Sequence, residues 1–389
     1  MKHYDVIIIG AGAAGLAAAG ELVSRKRRTL ILDMGSMPAR KVAASGGGNC
    51  NITNMAAGAT RYFGENPNFV RSALTRFTPY DMLDWASRHK IKLYEKTPGR
   101  YFCENGANTV INALITDANG ADFLWNTTVL GVINTDDLFC IQTNKSDVYA
   151  NSVIVATGGT SFPTLGVSEI GLKIAQKFGH KIVPPRPGLC GLVIKNAISD
   201  LAGISIKAQI TIDKNKINDD LLCTHFGLGG PLAYRASLYD LGNGITINMI
   251  PDINLYEVLK SAKKIDGRKK ILSILSEYIP IRIAKYIAND NRKNIADIRD
   301  NELQQIASSI QKIYIPGNCI KRQGLSGAEV VCGGVSTDYI SSKTMESKLI
   351  PGLYFAGEVL DVDALTGGYN LQIAWSTGYL AGSSAASEV

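Results

Sequence analysis

The spacing of apolar residues changes several times along the chain, and each spacing predicts a different element. Val6 to Ile9 is a short β-branched run that stops at Gly10-Ala-Gly-Ala-Ala-Gly15, and the Ala/Leu-rich stretch from Leu16 to Val23 reads as a helix. A second apolar run, Thr29 to Leu32, closes on Asp33 and completes a strand–helix–strand unit. Helical spacing recurs from Asn68 to Thr75 and from Tyr80 to His89, the latter behind Pro79 at a first-turn position. Short strands are expected near Lys92, Phe123 and Phe139. Ser152-Val-Ile-Val-Ala-Thr-Gly-Gly159 predicts a buried strand ending in a glycine turn and lying beside the first strand. From about Gly188 to Ile250 the pattern alternates, as in Ser205 to Ile212 and Ile245 to Met249, which predicts half-exposed strands and a small β domain. From Asn254 to Lys312 it turns helical, interrupted at Pro280. Leu353-Tyr-Phe-Ala-Gly-Glu358 returns to a buried strand meeting a glycine and a carboxylate, and Thr366 to Gln372 leads into a helix.

The layout is an α/β fold. A doubly wound nucleotide domain is assembled from both chain ends, residues 1–187 and 326–389, and is interrupted by a β insert over 188–250, a helical cap over 251–312 and a return strand or linker over 313–325. No internal repeat or low-complexity tract stands out.

The first turn carries chemistry because of what surrounds it. Gly10 permits a tight strand-to-helix turn, Gly12 lets the backbone approach a pyrophosphate and Gly15 lets helix and strand pack closely, while the helix N-terminus presents unpaired N–H groups to an anion. Asp33 stands where a ribose hydroxyl would be, but a carboxylate there does not separate FAD from NAD. The C-terminal return does: a second site of glycines, a carboxylate and a helix start suits the longer cofactor, FAD, whose ribityl and flavin extend beyond the ADP half. There is one Gly-x-Gly-x-x-Gly turn, so NAD(P)H is expected as a transient electron donor. Between Met34 and Thr60 lies a polar, Gly-rich loop too long to be a mere connector, and it carries Ser45-Gly-Gly-Gly-Asn-Cys-Asn-Ile-Thr-Asn54.

Composition narrows the picture further. With 389 residues, 46% hydrophobic and 19% charged, the chain can bury large cores and is too apolar for disorder. The most membrane-like stretch, Val6 to Gly20, is glycine-interrupted and shorter than a bilayer span, so no signal peptide or anchor is expected. Seven cysteines without a Cys-x-x-Cys pair point to reduced thiols and a cytoplasmic location. No metal is expected, because Cys223 with His225 lacks a second pair at zinc spacing. The net charge of +7 is uneven: from Pro251 to Arg322 there are 14 basic and 8 acidic residues, against 27 and 26 elsewhere. Lys263-Lys264, Arg268-Lys269-Lys270, Arg292-Lys293 and Lys321-Arg322 supply the excess, which suits either a phosphate backbone or a solvated helical surface.

Several motifs together resemble a bacterial FAD-dependent flavoprotein family of aminoacetone oxidases, a bile-acid enone reductase and ribosomal RNA dihydrouridine synthases. They are the Gly10/Gly12/Gly15 turn, Ala39-Arg-Lys41 with Ser45 to Asn51, Thr224-His-Phe-Gly-Leu-Gly-Gly-Pro231, Gly333-Gly-Val335, and Gly357-Glu-Val-Leu-Asp-Val-Asp363 with Gly367-Gly-Tyr-Asn370. The likeness runs nearly end to end. It implies an FAD domain from both chain ends, a β-barrel-like insert and a helical cap. Residue by residue, it implies that Gly10, Gly12, Ala14, Gly15, Asp33 and Met34 hold the ADP half, and that Arg40, Lys41, Ser45, Gly46, Gly47, Asn49 and Asn51 lie along the cofactor with Thr157 and Gly158. Gly357, Glu358 and Asp361 would meet the ribityl and pyrophosphate region, and Gly367, Gly368, Tyr369, Asn370 and Leu371 the flavin ring. Asn49 replaces the family's usual Arg and Gly229 its usual Ser. Tyr62 to Thr78 and Lys96 to Cys103 look most like the dihydrouridine synthase branch.

For uridine, C6 would take a hydride and C5 a proton. Cys50 and Cys103 are the candidate acids by motif position, against the alternative of small buried hydrophobes. His225 either orients substrate or satisfies a backbone carbonyl. Tyr369 either stacks near the flavin or packs the helix start, and Trp375 is expected in the core. Three functions follow: NAD(P)H-driven reduction of a ribosomal RNA base, with RNA on the basic cap; a small-molecule amine oxidase or enone reductase, for which the cap is a lid; and a non-enzymatic RNA-binding protein that keeps FAD structurally. The oligomeric state has no sequence signal.

Overall fold

In the computed structural model, which describes residues 2–135, 138–197, 199–288 and 293–387, the N-terminal run forms the strand His3–Ile9 at the middle of a sheet. Arg292 of the basic pair Arg292-Lys293 lies outside the described residues. Thr29–Leu32 runs parallel on one side with Asp122–Leu124 beyond it, and Val148–Val155 runs parallel on the other side with Leu353–Phe355 next. Val6, Ile7, Ile8, Val153 and Ile154 are fully buried, as a parallel strand covered on both faces requires. An antiparallel hairpin, Val129–Thr135 with Leu138–Thr143, joins the opposite end of Val148–Val155.

The chain divides into two compact units. One runs to Arg186 and resumes at Glu329, and the other runs from Pro187 to Ala328. In the first, the opening helix Ala13–Ser24 packs against the last helix, Tyr369–Ala385. The approach is so close that a Cβ at Gly378 would sit 2.2 Å from the Ala14 carbonyl oxygen, and one at Gly382 would sit 2.5 Å from that of Ala18. The helix Pro79–Arg88 starts as expected with Pro79, and a capping box supplements it: Asp81 N–H donates to Thr78 Oγ1, and Thr78 N–H donates to Asp81 Oδ2 at 2.7 Å.

The second unit is a seven-stranded antiparallel sheet with helices. Its strand order is Ile313–Ile315, Ile245–Asn248, Ser205–Ile212, Asn215–Thr224, Gly227–Gly229, Leu192–Ile194 and Ile320–Arg322. No pairing among the described residues closes this path into a barrel. The helices Leu255–Ile265, Ile271–Leu275, Ile281–Ala288 and Asp300–Gln311 share one hydrophobic core with the sheet, and Pro280 separates the second from the third. Among the described residues, no helix is long and apolar enough to cross a membrane.

Candidate active site

The site begins where the first strand ends. Gly10 has φ +110°, and a Cβ there would lie 2.4 Å from the Ala156 carbonyl oxygen, so the turn is closed to other residues. Gly15 is equally tight, its added Cβ 1.9 Å from the Gly10 carbonyl oxygen, whereas a Cβ on Gly12 would meet nothing within 4 Å. Gly12 opens the helix without a side-chain cap, so the first-turn N–H groups and the positive helix end face open space. Asp33 holds this loop in place: Ala11 N–H donates to its Oδ2 at 2.8 Å and Gly35 N–H to its Oδ1 at 2.7 Å. Oδ2 keeps a second lone pair for a ligand hydroxyl. Arg40 folds back on the same carboxylate at 3.4 Å and donates to the Leu165 carbonyl. Ala14 is buried in the helix, and Met34 is exposed beside Asp33.

Lys41 is tied into a network that joins three distant segments. Its Nζ donates to Glu358 Oε2 at 2.9 Å, to Ser161 Oγ at 2.8 Å and to the Gly159 carbonyl at 3.0 Å. Glu358 also accepts the N–H groups of Gly159 and Val331, each at 3.2 Å. Gly159, Glu358, Val331, Gly333 and Gly334 line one shallow pocket with Gly158. Gly357 N–H donates to Thr377 Oγ1, which anchors this turn to the last helix. Ser161 has no place in the sequence motifs, and only the fold brings it to Lys41.

The loop Ser45 to Asn51 and the start of the last helix are held together. Ser45 Oγ donates to the Val42 carbonyl, and Gly46 and Gly47 both adopt positive φ. Asn51, with its amide oriented to satisfy both neighbours, accepts Gly368 N–H at 2.9 Å and donates to the Tyr101 carbonyl. Asn54 Nδ2 donates to the Gly367 carbonyl at 2.7 Å, and Thr53 Oγ1 donates to Gln372 Oε1. Tyr369 packs edge-on against Tyr62, whose hydroxyl donates to the Tyr369 carbonyl. The Asn370 side chain accepts Ala364 N–H and donates to the carbonyls of Ala364 and Leu365, so it braces its own loop. Leu371 is half-buried on the helix, and Trp375 is in the core with Nε1 on the Ile52 carbonyl.

Two buried acids lie beside Glu358. Asp361 accepts Glu65 N–H, and burial raises its pKa. Asp363 is more extreme: burial first, then the charges of Glu358 and Asp361, push its carboxyl well above the usual range, and only Oδ2 has a partner, Gly333 N–H at 3.2 Å. The buried Oδ1 has none, nor has Thr157 Oγ1. Asp363 is the last residue of a motif visible in the sequence, yet its role was not legible there, because its burial is tertiary. A carboxyl raised in the folded state holds its proton when the unfolded chain, near pH 4, has lost it. Its stabilising contribution is therefore complete at acid pH and falls as pH rises towards the folded value. Asp363→Asn, which keeps an acceptor for Gly333 but cannot ionise, is expected to show a smaller drop in melting temperature between pH 5 and 8 than the wild type. Thermal unfolding across that range, with Glu65, Glu358, Asp361, Lys181 and Arg186 unchanged, measures it; equal drops would oppose the assignment.

Cys50 and Cys103 are both fully buried in this unit, and their thiols interact. The neighbouring Cys103 thiol, with burial, raises the Cys50 pKa well above the ordinary thiol range, while Cys50 lowers that of Cys103. Asn49 is exposed, and its carbonyl accepts Cys103 N–H. His225 lies elsewhere, exposed on the turn between two strands of the second unit. No group of three or more His, Cys, Asp or Glu residues suited to a metal occurs among the described residues.

The residues present fit FAD: open space over Gly12, an uncapped helix start, a carboxylate at the end of the second strand and the orphaned buried Oδ1 of Asp363. A five-stranded parallel core with this turn at its centre and a second loop system from the C-terminus makes the protein an FAD-dependent oxidoreductase of Rossmann type. The chain belongs to the family described as HI0933-like protein Rossmann domain, whose model matches residues 4–384. It is 35% identical over 393 residues to the ribosomal RNA dihydrouridine synthase of Escherichia coli (strain K12), covering 97% of both chains. The enzyme of that name from Haemophilus influenzae (strain ATCC 51907 / DSM 11121 / KW20 / Rd) is 35% identical over 395 residues at the same coverage. The 3-dehydro-bile acid delta(4,6)-reductase of Clostridium scindens (strain ATCC 35704 / DSM 5676 / VPI 13733 / 19) is 26% identical, covering 97% of this chain and 98% of that one. Among solved structures, a 3-ketosteroid-delta4-(5alpha)-dehydrogenase from Rhodococcus jostii RHA1 shares the fold with a TM-score of 0.50 at 14% identity, over 99% of this chain and 97% of that one.

Proposed function

We propose that this enzyme reduces uridine to dihydrouridine in ribosomal RNA, with NAD(P)H as a transient electron donor and a cytoplasmic location. The observation that carries the reading is the 35% identity to the ribosomal RNA dihydrouridine synthase of Escherichia coli across 97% of both chains. Charge distribution supports it. The unit from Pro187 to Ala328 has 19 basic and 13 acidic residues, which accounts for +6 of the chain's +7. Two of its lysines are neutralised locally, Lys263 by Asp300 and Lys269 by Glu277, while Lys264, Arg268 and Lys270 stay exposed. Those three are the proposed phosphate-binding side chains.

Bound FAD supplies the two-electron chemistry. The chain's residues hold and orient it: Gly10, Gly12 and Gly15 with the helix end at the pyrophosphate, Asp33 at the ribose, the Lys41–Glu358 network and Gly357 along the middle, and the loops Ser45 to Asn51 and Gly367 to Leu371 at the flavin end. Cys50, next to the exposed loop Gly46 to Asn49, is the proposed proton donor to uridine C5.

Nucleoside mass spectrometry of 23S ribosomal RNA, with and without the gene, tests the reading. Loss of dihydrouridine that the intact gene restores is expected; an unchanged level would sink it and favour a small-molecule enone reductase. Reversing Lys264, Arg268 and Lys270 to Glu is expected to lower the slope of log affinity against log salt by about one for each phosphate no longer neutralised. An unchanged slope in an RNA-binding titration would remove the cap from the interface.

A further inference from the structure

We propose that Cys50 and Cys103 form a dithiol–disulfide couple built into the cofactor loop. The strand Asn51–Asn54 pairs antiparallel with Arg100–Cys103, and Asn51 stands opposite Phe102. Just beyond that pair the ladder turns irregular, and Cys103 N–H donates to the Asn49 carbonyl at 2.9 Å, which brings the backbone of Cys103 next to that of Cys50. A disulfide bridges Cα atoms roughly 4.4–6.8 Å apart, the scale of neighbouring positions on two paired strands. The two buried thiols are also near enough to shift each other's protonation, Cys50 upward and Cys103 downward.

Access comes from the loop. Cys50 is buried directly after Gly46 to Asn49, all exposed, and Cys103 is buried directly before exposed Glu104 and Asn105. Gly46, Gly47 and Gly48 take positive φ, and so does Cys50 itself at +49°, an uncommon conformation for a residue with a side chain. Local opening of this loop is the proposed route by which an oxidant reaches the thiols.

In the reaction, both Sγ–H bonds break, one Sγ–Sγ bond forms, and two electrons with two protons pass to a two-electron acceptor. In the test the acceptor is diamide, whose N=N bond is reduced to a hydrazine. A thiol reductant reverses the step. The disulfide leaves Cys50 without a proton, so the oxidised protein is expected to lose uridine reduction; that consequence rests on the function proposed above, whereas the couple itself does not.

The experiment uses the full-length purified protein without RNA. Fully reduced protein, denatured in N-ethylmaleimide, takes an adduct on each of its seven cysteines. After diamide treatment of the native protein the count is expected to fall by two, with a peptide containing Cys50 linked to one containing Cys103, and dithiothreitol is expected to restore it. Cys103→Ser protein is expected to keep full labelling of Cys50 under the same treatment. Retention of all seven adducts in the wild type, or loss confined to the more accessible Cys140 and Cys319, would overturn the proposal. Because the wild-type measurement needs no variant and no turnover, its failure leaves the uridine reading standing, and failure of that reading leaves the couple intact.

Discussion

Gly12→Val is expected to give a folded protein that purifies without flavin. The backbone at Gly12 has φ −84° and ψ −168°, an extended conformation open to any residue, and its added Cβ meets no protein atom within 4 Å. The new side chain would therefore cost the apoprotein little and would occupy the space that a pyrophosphate must enter to reach the helix N–H groups. A hundredfold loss of FAD affinity, about 2.7 kcal/mol, is the expected scale. The ratio of flavin absorbance to protein, with a thermal melt of the apoprotein, separates the two effects. Gly15→Val is the contrast: a Cβ 1.9 Å from the Gly10 carbonyl oxygen disrupts the turn itself, so that variant loses the fold as well as the cofactor. Normal flavin content in Gly12→Val would place the cofactor elsewhere.

The second large effect lies far from the turn in sequence. Gly378→Ala is expected to destabilise the first unit by about 3 kcal/mol or more, because the new methyl would lie 2.2 Å from the Ala14 carbonyl oxygen and 2.8 Å from the Ala14 Cα. Both obstacles are backbone, so no change of rotamer relieves them. Only separating the two helices does, and that would pull Ala14 and Ala18 away from the core beneath them. A fall in melting temperature of roughly 6–12 °C follows for a unit of this size. Thermal unfolding checks it; a shift under about 2 °C would mean that the helices are not packed this closely. Because the opening helix also supplies the anion site, weaker flavin retention is expected alongside.

Much of the nucleotide domain was legible from local pattern. Val6 to Ile9, Gly10 to Gly15 and Thr29 to Asp33 form strand, turn, helix and strand within a few dozen residues, and the steric demands at Gly10 and Gly15 are those the spacing implies. Periodicity also showed that Leu353 returns to a buried strand and that Pro280 breaks a helix. The insert's alternating strands were equally readable, but the end-to-end order of the sheet, left open by its pairings, was not. Strand order depends on pairing between segments that local spacing does not encode.

The site divides along the same line. By itself the sequence determined the dinucleotide turn, the carboxylate after the second strand, the concentration of positive charge in one region and the motifs that mark the family, because each is a short-range pattern of residue types. Tertiary structure alone decided what those residues touch. Lys41 meets Glu358 and Ser161, Asn370 turns inward to brace its own loop, Cys50 lies near Cys103, and Asp363 is buried with one carboxyl oxygen unpartnered. A side chain's role depends on its burial and on its partners across the chain, and both exist only once the two ends of the sequence close on each other.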